Sequence, residues 1–195
     1  MSSHIIYTYQ HTCKIGHEAY ILHNAPFKAV KKKSPNGGPI KIPFLGEGYY
    51  LWEENIEAAI RWGKKHYTNE YSIVEYIDVT IINDELLNLI DRRNIAYFKE
   101  LQKIYIEKRP DSAKWRLGTW IEFFKKLRDI NELKFPFKYI KADEHLPDLE
   151  EYDREKIYFA DGLPYFTFFS PLLMLCVLDK KELNFKAKRF IKPNH

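Results

Sequence analysis

Two short segments of this 195-residue chain combine residue types that could handle a nucleoside. The first, Tyr9-Gln10-His11-Thr12, sets an imidazole beside a hydroxyl at the end of a β-branched and aromatic run. A strand-end histidine followed by a small hydroxyl residue can hydrogen-bond a ribose, and the backbone amides there can pair with a carboxamide. The second, Gly46-Glu47-Gly48-Tyr49-Tyr50-Leu51-Trp52, precedes a helical pattern that starts at Asn55. Its Gly-x-Gly entry lets backbone and ligand approach closely, and the aromatic residues beyond offer a flat face to a planar ring. Together the two segments suit a nicotinamide riboside, and an aromatic face favours the cationic ring of oxidised NAD.

Other residues that could do chemistry have plainer readings. The chain has no Walker loop, GxGxxG, HExxH or GxSxG signature. Cys13 stands close to His11 and invites a Cys/His pair, but a buried or idle thiol is the expectation. With Cys176 as the other cysteine, no disulfide framework or zinc site is expected, and both thiols read as reduced. His17 and His23 are six apart, on different sides of a helix, and read as surface residues. Lys31-Lys32-Lys33 leads into a Ser/Pro/Asn/Gly turn and reads as a solvated loop, with phosphate or RNA contact as the alternative. Trp115 and Trp120 are expected to pack, and Lys125, Lys126 and Arg128 to solvate, with a basic face for RNA or protein as the alternative.

The elements that must position these residues follow from periodicity. Residues 5–9 read as a first strand, 18–22 as a helix and 44–52 as a short strand entered through glycines. Asn55 caps a helix that ends before Thr68, and the alternation of 71–82 is that of a strand. Residues 84–91, 95–107 and 113–127 carry apolar residues at helical spacing, which predicts a helical insert at about 84–130. Strands return at 137–140, 157–160, 173–178 and 187–191, and the acidic stretch 143–155 reads as an exposed loop. Strands at both ends with helices between them predict an α+β fold in one domain over 1–195.

Composition agrees with one domain: 45% hydrophobic and 16% aromatic content suits burial of roughly two-thirds of the unfolded surface. A net charge of +4 does not compel a nucleic-acid partner. The amino terminus lacks a signal-peptide pattern, and no apolar run approaches the roughly 20 residues of a membrane span. A soluble, cytoplasmic protein without membrane association is the expectation.

At its two chemical segments the chain resembles the ADP-ribosyltransferase superfamily, in the His-Tyr-Glu branch that includes poly(ADP-ribose) polymerases and diphtheria-type toxins. The family's His-Gly-Thr motif is similar to His11-Thr12 without the glycine, and its glycine-entered strand and small-residue helix are similar to Gly46 through Leu51 with Ala58-Ala59 and Trp62. Weaker similarity runs through residues 79–92 and through Gly162-Leu163-Pro164-Tyr165 with the strand around Met174, so that about 5–191 is covered. The resemblance implies an ADP-ribosyltransferase-like split β-sheet with NAD, as substrate, in the cleft. It implies that His11, Thr12, Gly48, Tyr50, Ala59 and Trp62 bind NAD, with His11 on the ribose and Tyr50 stacked on the nicotinamide.

One departure bears on catalysis. The family's late-strand glutamate or glutamine holds a ribose hydroxyl and stabilises developing positive charge. Met174 stands there, or Leu172 in a shifted register, and neither can do that work. Asp161 is the first substitute and Glu47 the second. The leading expectation is mono-ADP-ribosyl transfer to a protein or nucleic-acid acceptor, in a toxin or antiphage setting where an antitoxin is a further partner. With water as acceptor the chain would be an NAD glycohydrolase. A catalytically silent binding or regulatory module is the alternative, and an RNA-binding protein is the third.

Overall fold

A computed structural model describes residues 3–33, 37–38, 40–68, 70–144 and 172–192, together with the backbone of two strands at 156–158 and 166–168. Asp161 and the Gly162–Tyr165 segment lie outside the described residues. The fold is α+β. Among the described residues nine strands run in chain order as β1 (His4–Lys14), β2 (Tyr49–Glu53), β3 (Tyr71–Ile82), β4 (Leu86–Asn88), β5 (Tyr139–Asp143), β6 (Lys156–Tyr158), β7 (Phe166–Phe168), β8 (Leu173–Val177) and β9 (Ala187–Ile191), together with four helices, α1 (Glu18–Asn24), α2 (Ile56–Tyr67), α3 (Arg92–Lys108) and α4 (Leu117–Asp129).

Seven strands form one mixed sheet in the order β4-β5-β8-β2-β1-β3-β9, in which β4 and β5 are parallel and the other pairs antiparallel. β6 and β7 pair separately. The alternation of β2 sorts its side chains between two apolar layers. Tyr49 and Leu51 join one that holds Tyr9, Ile21, Val74 and Leu175; Tyr50 and Trp52 join the other, with Ala59, Trp120, Phe124 and Met174. In the second layer Trp120 lies 5.4 Å from Phe124, which meets Phe98 edge-on at 5.5 Å. Truncating one such aromatic to alanine costs about 3–5 kcal/mol, because the cavity left behind collapses only in part.

The sheet is unevenly knit at its centre. The β1–β3 ladder runs from His4↔Ile82 to Lys14↔Tyr71 with one shift between Tyr7 and Tyr9. β1 meets β2 at Tyr9↔Glu53 and Gln10↔Trp52 and then parts from it. The two strands open into a wedge at His11–Lys14 on one side and Tyr49–Leu51 on the other.

Below the wedge the sheet is pinned by polar side chains. Glu53 accepts from the Tyr9 hydroxyl at 2.8 Å and from Lys141 at 2.5 Å, so Lys141 reaches across β8 to tie β5 to β2. Gln10 accepts the Asn55 N–H at 3.0 Å and donates to Glu75 at 3.2 Å, which fixes the start of α2 over the point of parting. Asn55 caps α2 as its type predicts, accepting from the Ala58 N–H at 2.8 Å.

The expectations for β3, β9 and α2 match the observed elements, while three others are corrected. β1 continues to Lys14, past the expected end at residue 9, because β3 supplies partners along its whole length. The helical insert begins at Arg92: residues 83–85 form a tight 3-10 turn and Leu86–Asn88 pair with β5 as a sheet edge. The stretch from 143 is not all exposed loop, since Asp143 ends β5 and Glu144 is half-buried.

Candidate functional site

The wedge between β1 and β2 is the floor of a cavity of about 900 Å³. Its depth follows from local chemistry. Where the β1–β2 ladder stops, the His11 imidazole takes over the bonding: one ring nitrogen, Nδ1, lies 2.9 Å from the Tyr50 carbonyl, and the other, Nε2, accepts the Phe27 N–H at 3.0 Å. That pattern requires a neutral ring with its proton on Nδ1. Burial holds the imidazole in that form, pulling its pKa down from 6.5 to about 4; the Tyr50 carbonyl opposes the shift and the Lys180 charge adds to it.

The aromatic wall comes from β2 and α2. Tyr50 and Trp52 alternate onto the cavity face of β2, while Trp62 and His66, one helical turn apart, stack with ring centres 3.9 Å apart. Trp62 also lies 6.0 Å from Trp52. The Tyr50 hydroxyl is consumed within its own turn, donating to the Gly46 carbonyl and accepting from the Leu45 N–H, each at 2.7 Å. Burial raises its pKa far out of reach. The ring is therefore a fixed surface and its hydroxyl is no acid or base.

The cavity lining is also basic. Lys14 from the end of β1, and Lys28, Lys32 and Lys41 from the 26–43 segment, line the cavity with Tyr20, Phe27 and Phe44. Lys32 and Lys41 are held side by side by a reciprocal pair of backbone bonds, each 2.9 Å. Among the described lining residues the one carboxylate is Glu144, whose partner Arg61 on α2 lies 3.0 Å away.

The expected site residues divide into three groups. His11, Thr12, Tyr50 and Trp62 all meet in the cavity with Met174, which faces Trp52 across the β2–β8 ladder. Three of them are already bonded: His11 and the Tyr50 hydroxyl as described, and Thr12, whose hydroxyl donates to the Ala59 carbonyl at 2.8 Å and docks α2 onto β1. Gly48 and Ala59 serve packing. A Cβ on Gly48 would stand 2.4 Å from the Cys176 sulfur, and both Gly48 backbone groups pair with Ala29, so the room its glycine makes is used by β8. Ala59, on α2, is wholly buried. Asp161 belongs to the third group, outside the described residues. Glu47 turns its carboxylate to the Lys31 N–H at 2.7 Å, while Glu122 and Lys125 of α4 hold its backbone.

The thiols are buried as expected, but strand alternation does not turn Cys13 away from His11: two residues apart on β1, they share a side and both line the cavity. The Cys13 thiol faces the Ser72 carbonyl, and burial raises it to about 11. Burial raises Cys176 to about 12. Neither is a ready thiolate. Lys125 departs from the expectation of a solvated charge: it bonds Glu122 at 2.6 Å and the Glu47 carbonyl at 3.0 Å.

Sequence reasoning missed Lys14, Lys28, Lys41, His66 and Glu144, and took Lys32 for part of a solvated loop. The lysines come from segments with no shared pattern, and Glu144 was hidden at the head of an acidic stretch; the one available signal was its place directly after a β-alternating run. Among the described residues no three His, Cys, Asp or Glu side chains converge to hold a metal ion, and no helix is long and apolar enough to cross a membrane. The chain matches no protein-family model, no curated protein and no solved structure.

Proposed function

We propose that this chain binds NAD in the wedge between β1 and β2 and acts on it as a mono-ADP-ribosyltransferase of the His-Tyr-Glu type, with a protein or nucleic-acid acceptor. The observation that carries the reading is that aromatic faces and four lysines line one cavity where the central sheet parts. A planar cation suits Tyr50, Trp52 and Trp62. A pyrophosphate suits Lys14, Lys28, Lys32 and Lys41. The volume of about 900 Å³ falls within the usual range of cofactor-sized sites. The parting of β1 from β2 is also what a split sheet requires, which supports the ADP-ribosyltransferase-like fold.

In this reading His11 acts chiefly by holding Tyr50 and the Phe27 segment in place, since both ring nitrogens are engaged. Tyr50 and Trp62 orient the nicotinamide. A second reading, a silent NAD-binding module, is favoured by Met174 at the position where the resemblance calls for a carboxylate.

Incubating the purified protein with nicotinamide-labelled NAD tests both readings. Saturating NAD should raise the melting temperature by roughly 5–10 °C, from about 2.7 kcal/mol of linkage at a hundredfold excess over Kd. Trp62→Ala should remove most of that shift, and nicotinamide release separates the transferase from the silent module. No shift and no release would refute NAD binding and the fold assignment with it.

A further inference from the structure

The cavity's carboxylate has a specific seat. Glu144 follows the last residue of β5, and its N–H donates to the Leu172 carbonyl at 2.9 Å, extending the β5–β8 pairing by one step. Asp143 secures the same junction by accepting the Leu172 N–H at 3.0 Å. By strand alternation Glu144 shares a face with Ala142, which pairs with Met174. Its carboxylate therefore enters the cavity beside the very position where the methionine stands. The Arg61 guanidinium, 3.0 Å from Glu144 and 5.9 Å from the centre of the Trp52 ring, holds it against the aromatic wall. The Glu144 and Arg61 side chains are 14% and 12% exposed, so the ion pair is largely withdrawn from water.

We infer that Glu144 is the catalytic carboxylate of this cavity, moved from β8 to the neighbouring strand, with Arg61 as its positioning residue. The inference rests on the proposal that NAD is the substrate. In the reaction the bond between the ribose anomeric carbon and the nicotinamide nitrogen breaks, and its electron pair stays on that nitrogen, leaving neutral nicotinamide. The anomeric carbon takes up positive charge, which the Glu144 carboxylate stabilises across a site with little water to screen it. An acceptor oxygen then bonds to that carbon and gives its proton to solvent. With water as acceptor the products are ADP-ribose, nicotinamide and one proton.

Glu144→Gln keeps the shape of the side chain and an oxygen for Arg61 while removing the charge. Expected is a fall of about 100-fold or more in kcat for nicotinamide release, with KM and the NAD-induced melting shift changed by less than about threefold. Glu144→Asp, which keeps the charge on a shorter arm, should fall less than Glu144→Gln. Should Glu144→Gln not fold, Glu144→Asp against Arg61→Lys decides, since both leave carboxylate and cation in place and alter only their reach. Either one must lower kcat more than it raises KM. Release retained by Glu144→Gln to within about threefold of wild type overturns the assignment while NAD binding stands. Wild type that binds NAD without releasing nicotinamide also overturns it and leaves the silent module. Wild type that does neither overturns both the assignment and the reading beneath it.

Discussion

His11 provides the sharpest check on how the site is built, because its neutrality is a condition of the fold. The folded protein holds the ring at about 4, against 6.5 for an exposed imidazole, with desolvation as the main cause. Protonation would put a hydrogen on Nε2, where the Phe27 N–H now donates, and would place an uncompensated charge in the sheet. Below pH 6.5 the unfolded chain therefore takes up a proton that the folded chain refuses. The unfolded state binds more protons, so stability rises with pH: this contribution is complete above about pH 6.5 and is lost as pH falls towards 4. At pH 5 the two titrations differ by about 30-fold in favour of unfolding, or about 2 kcal/mol, and the full loss below pH 4 is about 3 kcal/mol.

Urea unfolding at pH 7.5 and 5.0, on wild type and on His11→Gln, isolates this quantity. His66 and the carboxylates titrate in both proteins and drop out of the difference. Wild type should lose about 2 kcal/mol more than the variant between the two pH values, even though the variant starts less stable. Equal losses would mean that His11 charges freely in the folded state. The bridge from Tyr50 to Phe27 would then not be what closes the wedge.

Two further outcomes test the frame around the cavity. Gly48→Ala drives a Cβ to 2.4 Å from the Cys176 sulfur and 2.8 Å from the Val177 carbonyl, so β2 and β8 must move apart. A loss of about 1–3 kcal/mol, or roughly 2–12 °C in melting temperature, is expected, and a melting point unchanged to within about 1 °C would refute the close approach. Lys141→Met strands the buried Glu53 carboxylate and should cost about 3–5 kcal/mol by urea unfolding. Adding Glu53→Gln should restore part of that loss, whereas strictly additive losses would show that the two groups do not interact.

Much of the scaffold was legible because its signals are local. β3 alternates over its full length and α2 carries its own cap in Asn55, so neither needs information from elsewhere in the chain. β4 was misread as helix because Leu86, Leu87, Leu89 and Ile90 can be placed on a helical face as well as on a strand. It becomes a strand by pairing with β5, some fifty residues later, which no local period encodes. The end of β1 was misplaced for the same reason. Within the site, the aromatic wall was legible from the glycine-entered strand and the helix behind it. The lysine set was not, since it assembles from the end of β1 and an irregular loop.

The polar groups at the wedge share one physical constraint. His11 and Thr12 were expected to meet a ligand and Gly48 to make room for one, and each, like the Tyr50 hydroxyl, is engaged with backbone near the opening of the sheet. Parting two strands leaves carbonyls and amides without ladder partners, and buried backbone groups must be satisfied by something. Side chains at the wedge do that, so polar residues there are drawn first to structure. What remains for recognition are aromatic faces, lysine ammonium groups on long arms, and a carboxylate paired with an arginine. A cavity made by parting a sheet is thus expected to bind through rings and charges more than through hydroxyls. On the proposed reading the chemistry falls on Trp62, the four lysines and Glu144, with His11 bridging Tyr50 and Phe27 to close the wedge.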